Sequence, residues 1–215
     1  MKNEIAKTTR SYGGVRASLR LEGRRRKLIE AGLTAFGTLG YAKASIKGIC
    51  NLAGLTERYF YESFGSKEEL LAAVYQDVVE GLMPLALERL EEPFAKPSEI
   101  VCDTLRIYFT AMKEDPRKAR MLYIEVLGVS PAIDRAYQEA TRRLAGIIVR
   151  VMGLAFPGLD WRALSRTIVP TGLTGALTLI AINWILEEFK TPLDDILAQV
   201  TFLVDAMDAF LTPKP

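Results

Sequence analysis

Turn-forming residues divide this chain into segments whose apolar side chains recur with helical spacing. No segment shows the strict alternation of apolar and polar residues that a half-buried strand requires. Prolines and glycines separate the later segments, at Asp115-Pro116, Ser130-Pro131, Pro157-Gly158 and Thr191-Pro192. Because 49% of the 215 residues are apolar, a substantial core can form. The sequence therefore predicts an all-α fold of about nine helices.

The predicted helices are short near the N-terminus and longer afterwards. An arm over residues 1–20, which mixes glycine, serine and threonine with basic residues, is expected to be flexible. The first helix is expected to begin at about Leu21, and the fourth to run to about Glu92 with a kink or a break at Pro84. The later helices are predicted over residues 98–114, 117–127, 131–155, 160–189 and 193–211.

The residue types that are absent exclude most enzymatic chemistry. The chain contains no histidine, so imidazole cannot act as a general base, a triad member or a metal ligand. No phosphate loop, dinucleotide-binding glycine pattern or nucleophile elbow is present. The two cysteines, Cys50 and Cys102, are too far apart for a metal motif and fit a reducing cytoplasm. We therefore expect no cofactor, no metal and no enzyme activity.

Charge is spread unevenly along the chain. Residues 1–67 contain 13 Lys/Arg and 5 Glu, whereas residues 68–215 contain 15 basic and 21 acidic residues. This asymmetry indicates either that the N-terminal part meets a polyanion or that it carries a solvated basic tail. The basic first 30 residues also lack the apolar run of a secretory signal, which favours a cytoplasmic protein.

Residues 45–64 have the spacing of a helix-turn-helix. Ser45 is a suitable N-cap for a short helix, Gly54 suits the turn that follows, and Thr56 is placed to begin a second short helix. In such a pair the second helix is presented to the major groove of DNA.

Aromatic residues are concentrated on this second helix. The helical period directs Phe60 and Phe64 towards a small three-helix core. It leaves Tyr59 and Tyr61 facing outward. An outward pair of tyrosines on a helix that can enter the major groove is a candidate DNA contact.

Residues 26–75, "RKLIEAGLTAFGTLGYAKASIKGICNLAGLTERYFYESFGSKEELLAAVY", resemble the tetracycline-repressor (TetR) family of transcriptional regulators. The matching features are the Ala/Gly-Phe first helix, Gly40-Tyr41, Ser45-Ile46, Ile49, Ala53-Gly54-Leu55-Thr56, Tyr61, Phe64 and Ser66-Lys67-Glu68. The resemblance implies a helix-turn-helix DNA-binding domain over residues 21–67 and a helical-bundle effector and dimerisation domain over residues 68–215. It favours a homodimeric repressor that binds double-stranded operator DNA.

The resemblance also implies which residues hold the DNA backbone. Tyr61 and Lys67 are expected to contact phosphates, and Ser45 or Thr56 to do so while capping a helix. Hydroxyls and helix N-termini are good phosphate partners that fix the register without reading sequence. Lys47 is a further phosphate candidate.

Base contacts are expected from Arg58 and Tyr59, which stand where family members contact bases. Arginine can bind guanine, and tyrosine can touch a thymine methyl group or a phosphate. Small residues are commoner at both positions in the family, so these two side chains either read bases or hold the backbone. Arg16, Arg20 and Arg24–Arg26 either follow the minor groove or belong to a non-specific basic arm.

The C-terminal part is expected to dimerise and to bind a small hydrophobic or amphipathic effector. The interface is predicted over 160–188 and 193–211, where an apolar stripe on the last helix packs either against a second copy or in the core. The effector-site candidates are Tyr108, Met112, Tyr123, Thr171, Thr174, Asn183 and Trp184. These residues either line a mostly apolar pocket with few polar anchors or simply pack the core.

Residues 167–186 contain no charge and are long enough to span a membrane. One proline, two glycines, four threonines and one asparagine dilute their hydrophobicity, so a helix buried between the core and a partner subunit is preferred. A membrane-associated adaptor and a helical enzyme without histidine chemistry remain the alternative functions.

Overall fold

The computed structural model describes residues 8–160, 163 and 168–211, and over these residues it is helical with no strand. The helices are α1 (Thr8–Leu39), α2 (Ile46–Ala53), α3 (Glu57–Ser63), α4 (Lys67–Leu82), α5 (Leu85–Glu88), α6 (Pro97–Glu114), α7 (Pro116–Tyr123), α8 (Pro131–Ala155), α9 (Val169–Leu186) and α10 (Leu193–Leu211). Within the described residues, α5 has four residues and is followed by a 3-10 turn, and the nine other helices are longer. The predicted all-α fold is confirmed.

The chain forms two compact units, Met1–Val74 and Tyr75–Pro215, whose division falls inside α4. In the first unit, α1, α2 and α3 pack against one another in all three pairs. Leu28, Phe36, Ile49 and Phe60 are fully buried there. This is the small three-helix core predicted for the helix-turn-helix.

The first helix differs from its prediction at its start. It begins at Thr8, so residues 8–20 are helical where a flexible arm is predicted. This segment has no proline, so no residue in it forbids a helix. A helix already nucleated by the packed part of α1 also extends at little cost. The first seven residues of the predicted arm lie outside the described residues.

Pro84 interrupts the fourth helix, as predicted. The α4 helix ends at Leu82, and the chain resumes with α5 at Leu85. Proline has no N–H to donate to the preceding turn and its ring crowds that turn, so a regular helix cannot continue through it.

In the second unit, α6 packs against α5, α7, α8 and α10, while α9 packs against α7 and α8. Proline occupies the first turn of α6, α7 and α8, where its missing N–H costs nothing. Helix α7 ends at Tyr123, four residues before the predicted end, where the Arg120–Glu125 ion pair at 2.6 Å closes a turn. The predicted helix over 160–189 is described only from Val169, and residues 161–162 and 164–167 lie outside the described residues.

Candidate nucleic-acid interface and ligand cavity

The turn between α2 and α3 has the geometry of a helix-turn-helix. The Ser45 hydroxyl accepts a hydrogen bond from the Gly48 N–H at 3.1 Å and so caps α2. Gly54 follows α2 in the left-handed conformation, with φ of 65°, which a side chain would oppose. The Leu55 N–H then donates to the Cys50 carbonyl at 2.9 Å and so caps the C-terminus of α2.

The aromatic residues at α3 divide between the core and the surface as predicted, except that Tyr59 is only partly exposed. Phe60 and Phe64 are buried, whereas the Tyr61 side chain is 57% exposed. Tyr59 is half-buried. The outward face of α3 therefore offers one fully presented tyrosine and one partly covered tyrosine.

Two arginines of α1 hold α3 in place, which sequence patterns did not indicate. The Arg24 guanidinium lies 4.4 Å from the Tyr59 ring centroid, and its Nη2 is 3.3 Å from Glu62 Oε2. The other oxygen of Glu62 pairs with Arg58 Nε at 3.2 Å, and the Arg58 side chain is 85% exposed. The carboxylate of Glu62 thus connects α1 to the predicted base-reading arginine.

Arg25 makes the second connection. Its Nη1 donates to the Ser63 carbonyl at 3.2 Å, and its guanidinium lies 4.3 Å from the Phe64 ring centroid. The assignment of Arg24 and Arg25 to a basic arm is therefore wrong. Their partners lie about forty residues further along the chain, and no local pattern encodes such contacts.

The ammonium of Lys67 lies inside the first unit rather than in open solvent. It donates to the carbonyls of Tyr41 and Ala44, at 2.8 and 3.0 Å, and lies 4.2 Å from the Tyr41 ring centroid. Burial, reinforced by the charge of Glu68, raises the pKa of Tyr41, so its ring stays neutral beside the ammonium. Lys67 thereby ties the turn after α1 to the start of α4.

The remaining phosphate candidates lie on the surface of the same unit. Ser45, Lys47 and Thr56 are all exposed. Thr56 begins α3 with an extended backbone, but its hydroxyl makes no capping hydrogen bond. The hydroxyl of Ser45 is engaged in capping, whereas that of Thr56 is not.

A cavity of about 320 Å³ lies in the second unit, bounded mainly by α6, α8, α9 and α10. Its described walls are apolar except for the hydroxyls of Thr104, Tyr108 and Tyr123, and none of them carries a charged side chain. The Thr104 hydroxyl donates to the Ile100 carbonyl at 2.7 Å, so it is already satisfied within α6. The two tyrosines therefore carry the remaining polar side-chain groups of these described walls.

Only two of the seven predicted effector-site residues line this cavity, namely Tyr108 and Tyr123. The other five lie elsewhere: Met112, Thr174 and Trp184 are buried in packing, and Thr171 and Asn183 are exposed on α9. The Trp184 N–H donates to the Thr191 carbonyl at 2.7 Å, and the Thr174 hydroxyl to the Pro170 carbonyl at 2.7 Å. Because α9 is apolar all round, its sequence does not indicate which face meets the cavity.

The two tyrosine hydroxyls are 2.9 Å apart and buried. Burial raises the pKa of Tyr108 to about 12, against a smaller lowering by the hydrogen bond with Tyr123. Burial likewise raises the pKa of Tyr123 well above its ordinary value. A second, small void of about 20 Å³ adjoins the pair and is also lined by Tyr75 and Tyr137.

Large apolar side chains are exposed on α9 and α10. Leu179 and Leu186 on α9 are exposed, and on α10 Phe202 and Phe210 are 73% and 84% exposed. The predicted α10 stripe is split between two environments, because Val204 is buried while the neighbouring Leu203 and Met207 are exposed. Leu203 and Met207 also line the cavity, so the candidate interface consists of the other exposed side chains of this set.

Two helical segments among the described residues, Lys67–Glu88 and Val169–Leu186, are long and apolar enough to cross a membrane by length and composition. Buried core helices meet the same criterion. Half of the first segment's apolar window is buried in this structure, and 28% of the second.

Comparison with known proteins places the N-terminal unit in a family. Residues 28–74 match the model of the bacterial regulatory proteins of the tetR family. An uncharacterized HTH-type transcriptional regulator, YezE of Bacillus subtilis (strain 168), is 24% identical over 122 residues. That match covers 54% of this chain and 62% of the relative's length.

Solved structures share the fold. The fatty acid degradation regulator FadR from Bacillus halodurans superposes with a TM-score of 0.70 at 18% identity, over 84% of this chain and 94% of that chain. FadR from Bacillus subtilis, solved in complex with stearoyl-CoA, gives a TM-score of 0.66 at 17% identity, over 83% and 96%. A transcriptional regulator from Pseudomonas aeruginosa PAO1 gives 0.68 at 22% identity, over 87% and 91%. The family and these relatives are transcriptional regulators and not enzymes.

The helix-turn-helix geometry of α2 and α3, the matching family model and the shared fold agree with one another. Over residues 28–74 the chain matches the bacterial regulatory proteins of the tetR family, and its fold is shared with the transcriptional regulators named above.

Proposed function

We propose that this protein is a homodimeric repressor that binds a palindromic operator through α3 and is released from it by an apolar small molecule. The observation that carries the proposal is the outward face of α3, where Arg58 and Tyr61 are presented by a helix that Arg24 and Arg25 hold against α1. A recognition helix fixed by its neighbours can enter a major groove with a defined register. Such a protein works in the cytoplasm, where it meets the DNA.

Phosphate contacts are assigned to the hydroxyls and amines around α3. Tyr61 is exposed, and the hydroxyl of Thr56 stands at the N-terminus of α3, where the helix dipole favours an anion. Lys67 uses two of its three ammonium donors on carbonyls, which leaves the third for a phosphate. Ser45 and Lys47 at the start of α2 complete the set.

Base reading is assigned to Arg58, with Tyr59 beside it. Glu62 pairs with the Nε of Arg58, and the remaining guanidinium N–H groups can reach a guanine in the groove. Tyr59 is half-covered by Arg24, so it supports the helix and touches the DNA only at its edge.

The dimer interface is assigned to the exposed apolar side chains of α9 and α10. In a single chain the aromatic rings of Phe202 and Phe210 are exposed to water, whereas contact with a second copy would bury both rings. A two-fold dimer also supplies two recognition helices to two half-sites, which one chain cannot do. A membrane would cover the same side chains, so sedimentation of the full chain with and without lipid vesicles separates these two proposals.

The effector site is assigned to the 320 Å³ cavity. FadR from Bacillus subtilis was solved with stearoyl-CoA, which supports an effector with an acyl or similar chain. Ligand that fills the cavity would favour one arrangement of α6, α8, α9 and α10. The protein would leave the operator if, in that arrangement, the recognition helices of the dimer no longer fit the two half-sites.

The test is a gel-shift titration of the full chain against the DNA upstream of its own gene. Arg58→Ala is expected to cost about 1–3 kcal/mol and to relax the preference at one base pair. Tyr61→Phe is expected to weaken binding to all sequences alike. Arg142→Ala is the matched control, because it also removes an arginine from an exposed intrahelical ion pair, with Glu139. An equal loss on all sequences for Arg58→Ala would remove its assigned base contact.

A further inference from the structure

The effector cavity assigned above has walls that favour an uncharged ligand. Among the described residues that line it, the tyrosine pair supplies the polar atoms that are not already satisfied within a helix. No lysine, arginine or carboxylate stands on these described walls to pair with a charged group. An ion buried here would lose its hydration without compensation, which is far more costly than burying a neutral group.

The volume of the cavity limits the size of the ligand. A cavity of roughly 150 Å³ with apolar walls takes up one benzene molecule, which has six carbons. On the same scale, the volume of about 320 Å³ corresponds to about a dozen non-hydrogen atoms. A stearoyl chain is larger than this, so the walls enclose a shorter chain, and the rest of a longer one would project past the exposed Leu203 and Met207.

The tyrosine pair offers one hydrogen bond to such a ligand. Two hydroxyls carry two protons, and the 2.9 Å bond between Tyr108 and Tyr123 uses one of them. The second proton can be donated to a ligand oxygen, and the lone pairs of either phenol can accept from a ligand hydroxyl. Because burial raises the pKa of both phenols and so keeps them protonated, this donor persists at neutral pH.

We propose that the cavity binds an uncharged aliphatic molecule of about a dozen non-hydrogen atoms, whose single hydroxyl or carbonyl group hydrogen-bonds to the Tyr108–Tyr123 pair. This inference rests on the proposed effector role of the cavity. It adds the charge, the length and the orientation of the ligand.

Calorimetric titration of the full chain with straight-chain alcohols tests the length. Each added methylene should tighten binding about three- to fourfold until the cavity is full, near undecanol, and longer alcohols should then gain nothing or bind more weakly. Affinity that keeps rising by the same factor through to octadecanol would overturn the size limit.

Undecanoate tests the charge and the orientation. At pH 8 it is ionised, so it should bind at least about tenfold more weakly than undecanol, and the gap should narrow as the pH is lowered towards its own pKa. If undecanoate and undecanol bind equally tightly at pH 8, the polar end of the ligand faces solvent and the proposed orientation is wrong.

Tyr123→Phe tests the hydrogen bond while conserving the ring. Undecanol should bind about three- to tenfold more weakly to the variant, whereas undecane, which has no oxygen, should bind equally well to both proteins. Tyr137→Phe is the matched control, because Tyr137 lines only the small void. An equal loss for undecanol and undecane would show that Tyr123 merely shapes the cavity.

A gel shift with undecanol present separates this inference from the proposed function. Undecanol that binds the protein but leaves operator affinity unchanged would refute the effector role and leave the ligand class standing. Failure of every alcohol to bind, in a protein that still binds its operator, would refute the ligand class alone.

Discussion

Replacing Gly32 by alanine tests the packing of α1 against α4 within the first unit. A Cβ atom on Gly32 would lie 2.9 Å from Val74 Cγ2 and 3.2 Å from Leu70 Cδ2. Carbon atoms pack at about 3.5–4.0 Å, so the helices or the stiff valine side chain must move. Such overpacking costs about 1–3 kcal/mol.

The same substitution has an opposing effect on helix propensity. Alanine is favoured over glycine inside a helix by about 1 kcal/mol, so Gly32→Ala should destabilise the first unit by about 0–2 kcal/mol net. Gly23→Ala is the matched control, because Gly23 lies on the same helix and a Cβ atom added there would meet no described atom within 4 Å. It should stabilise the unit by about 1 kcal/mol.

The assay is amide hydrogen exchange of the full chain over residues 28–36. The sequence of the first unit, Met1–Val74, contains no tryptophan, so tryptophan fluorescence would not report on it. Exchange should be faster in Gly32→Ala than in Gly23→Ala by a factor that corresponds to about 1–3 kcal/mol. Adding Val74→Ala should remove most of the difference. Equal protection in the two alanine variants would refute the close approach of α1 and α4.

Three further perturbations have definite expected outcomes. Arg25→Met should destabilise the first unit by about 1–2 kcal/mol, seen as faster exchange of α3 amides, because the bond to the α3 carbonyl and the ring contact are lost. Lys67→Met should weaken binding to all DNA sequences and also speed exchange in the turn after α1, whereas Lys47→Met should affect only DNA binding. Burial raises the pKa of Tyr108 to about 12 and also raises that of Tyr123. The free energy of unfolding should therefore stay constant below about pH 10 and fall as the pH rises towards 12. Denaturant titration should show a smaller fall for Tyr108→Phe than for the wild type.

The helix-turn-helix was predictable because its determinants are local. Ser45 caps the helix that it precedes, Gly54 supplies the left-handed turn, and the 3.6-residue period separates Phe60 from Tyr61. Each of these signals acts within a few residues of sequence. The break at Pro84 was predictable for the same reason.

The support of α3 was not predictable, because it depends on contacts between distant parts of the chain. Arg24 and Arg25 stand in a basic cluster that looks solvated in sequence, and only the packing of α1 brings them to Glu62 and the Ser63 carbonyl. Lys67 likewise has carbonyl partners more than twenty residues away.

The cavity was predictable only in its general character. Its apolar walls and few hydroxyls match the expectation, and Tyr108 and Tyr123 were among the candidates. Helix α9 contributed four further candidates that do not line the cavity, namely Thr171, Thr174, Asn183 and Trp184. A helix with apolar residues on every side carries no period that separates its inward face from its outward one.

Footprinting of the full chain on the DNA upstream of its own gene tests whether α3 recognises an operator there as part of a dimer. We expect two protected half-sites related by two-fold symmetry, roughly one helical turn or a multiple of it apart, with protection lost together at both half-sites as protein is diluted. Protection should survive an excess of unrelated DNA at moderate salt. A single protected half-site would contradict the dimer, and no protection beyond that of unrelated DNA would contradict operator recognition by α3 at this site.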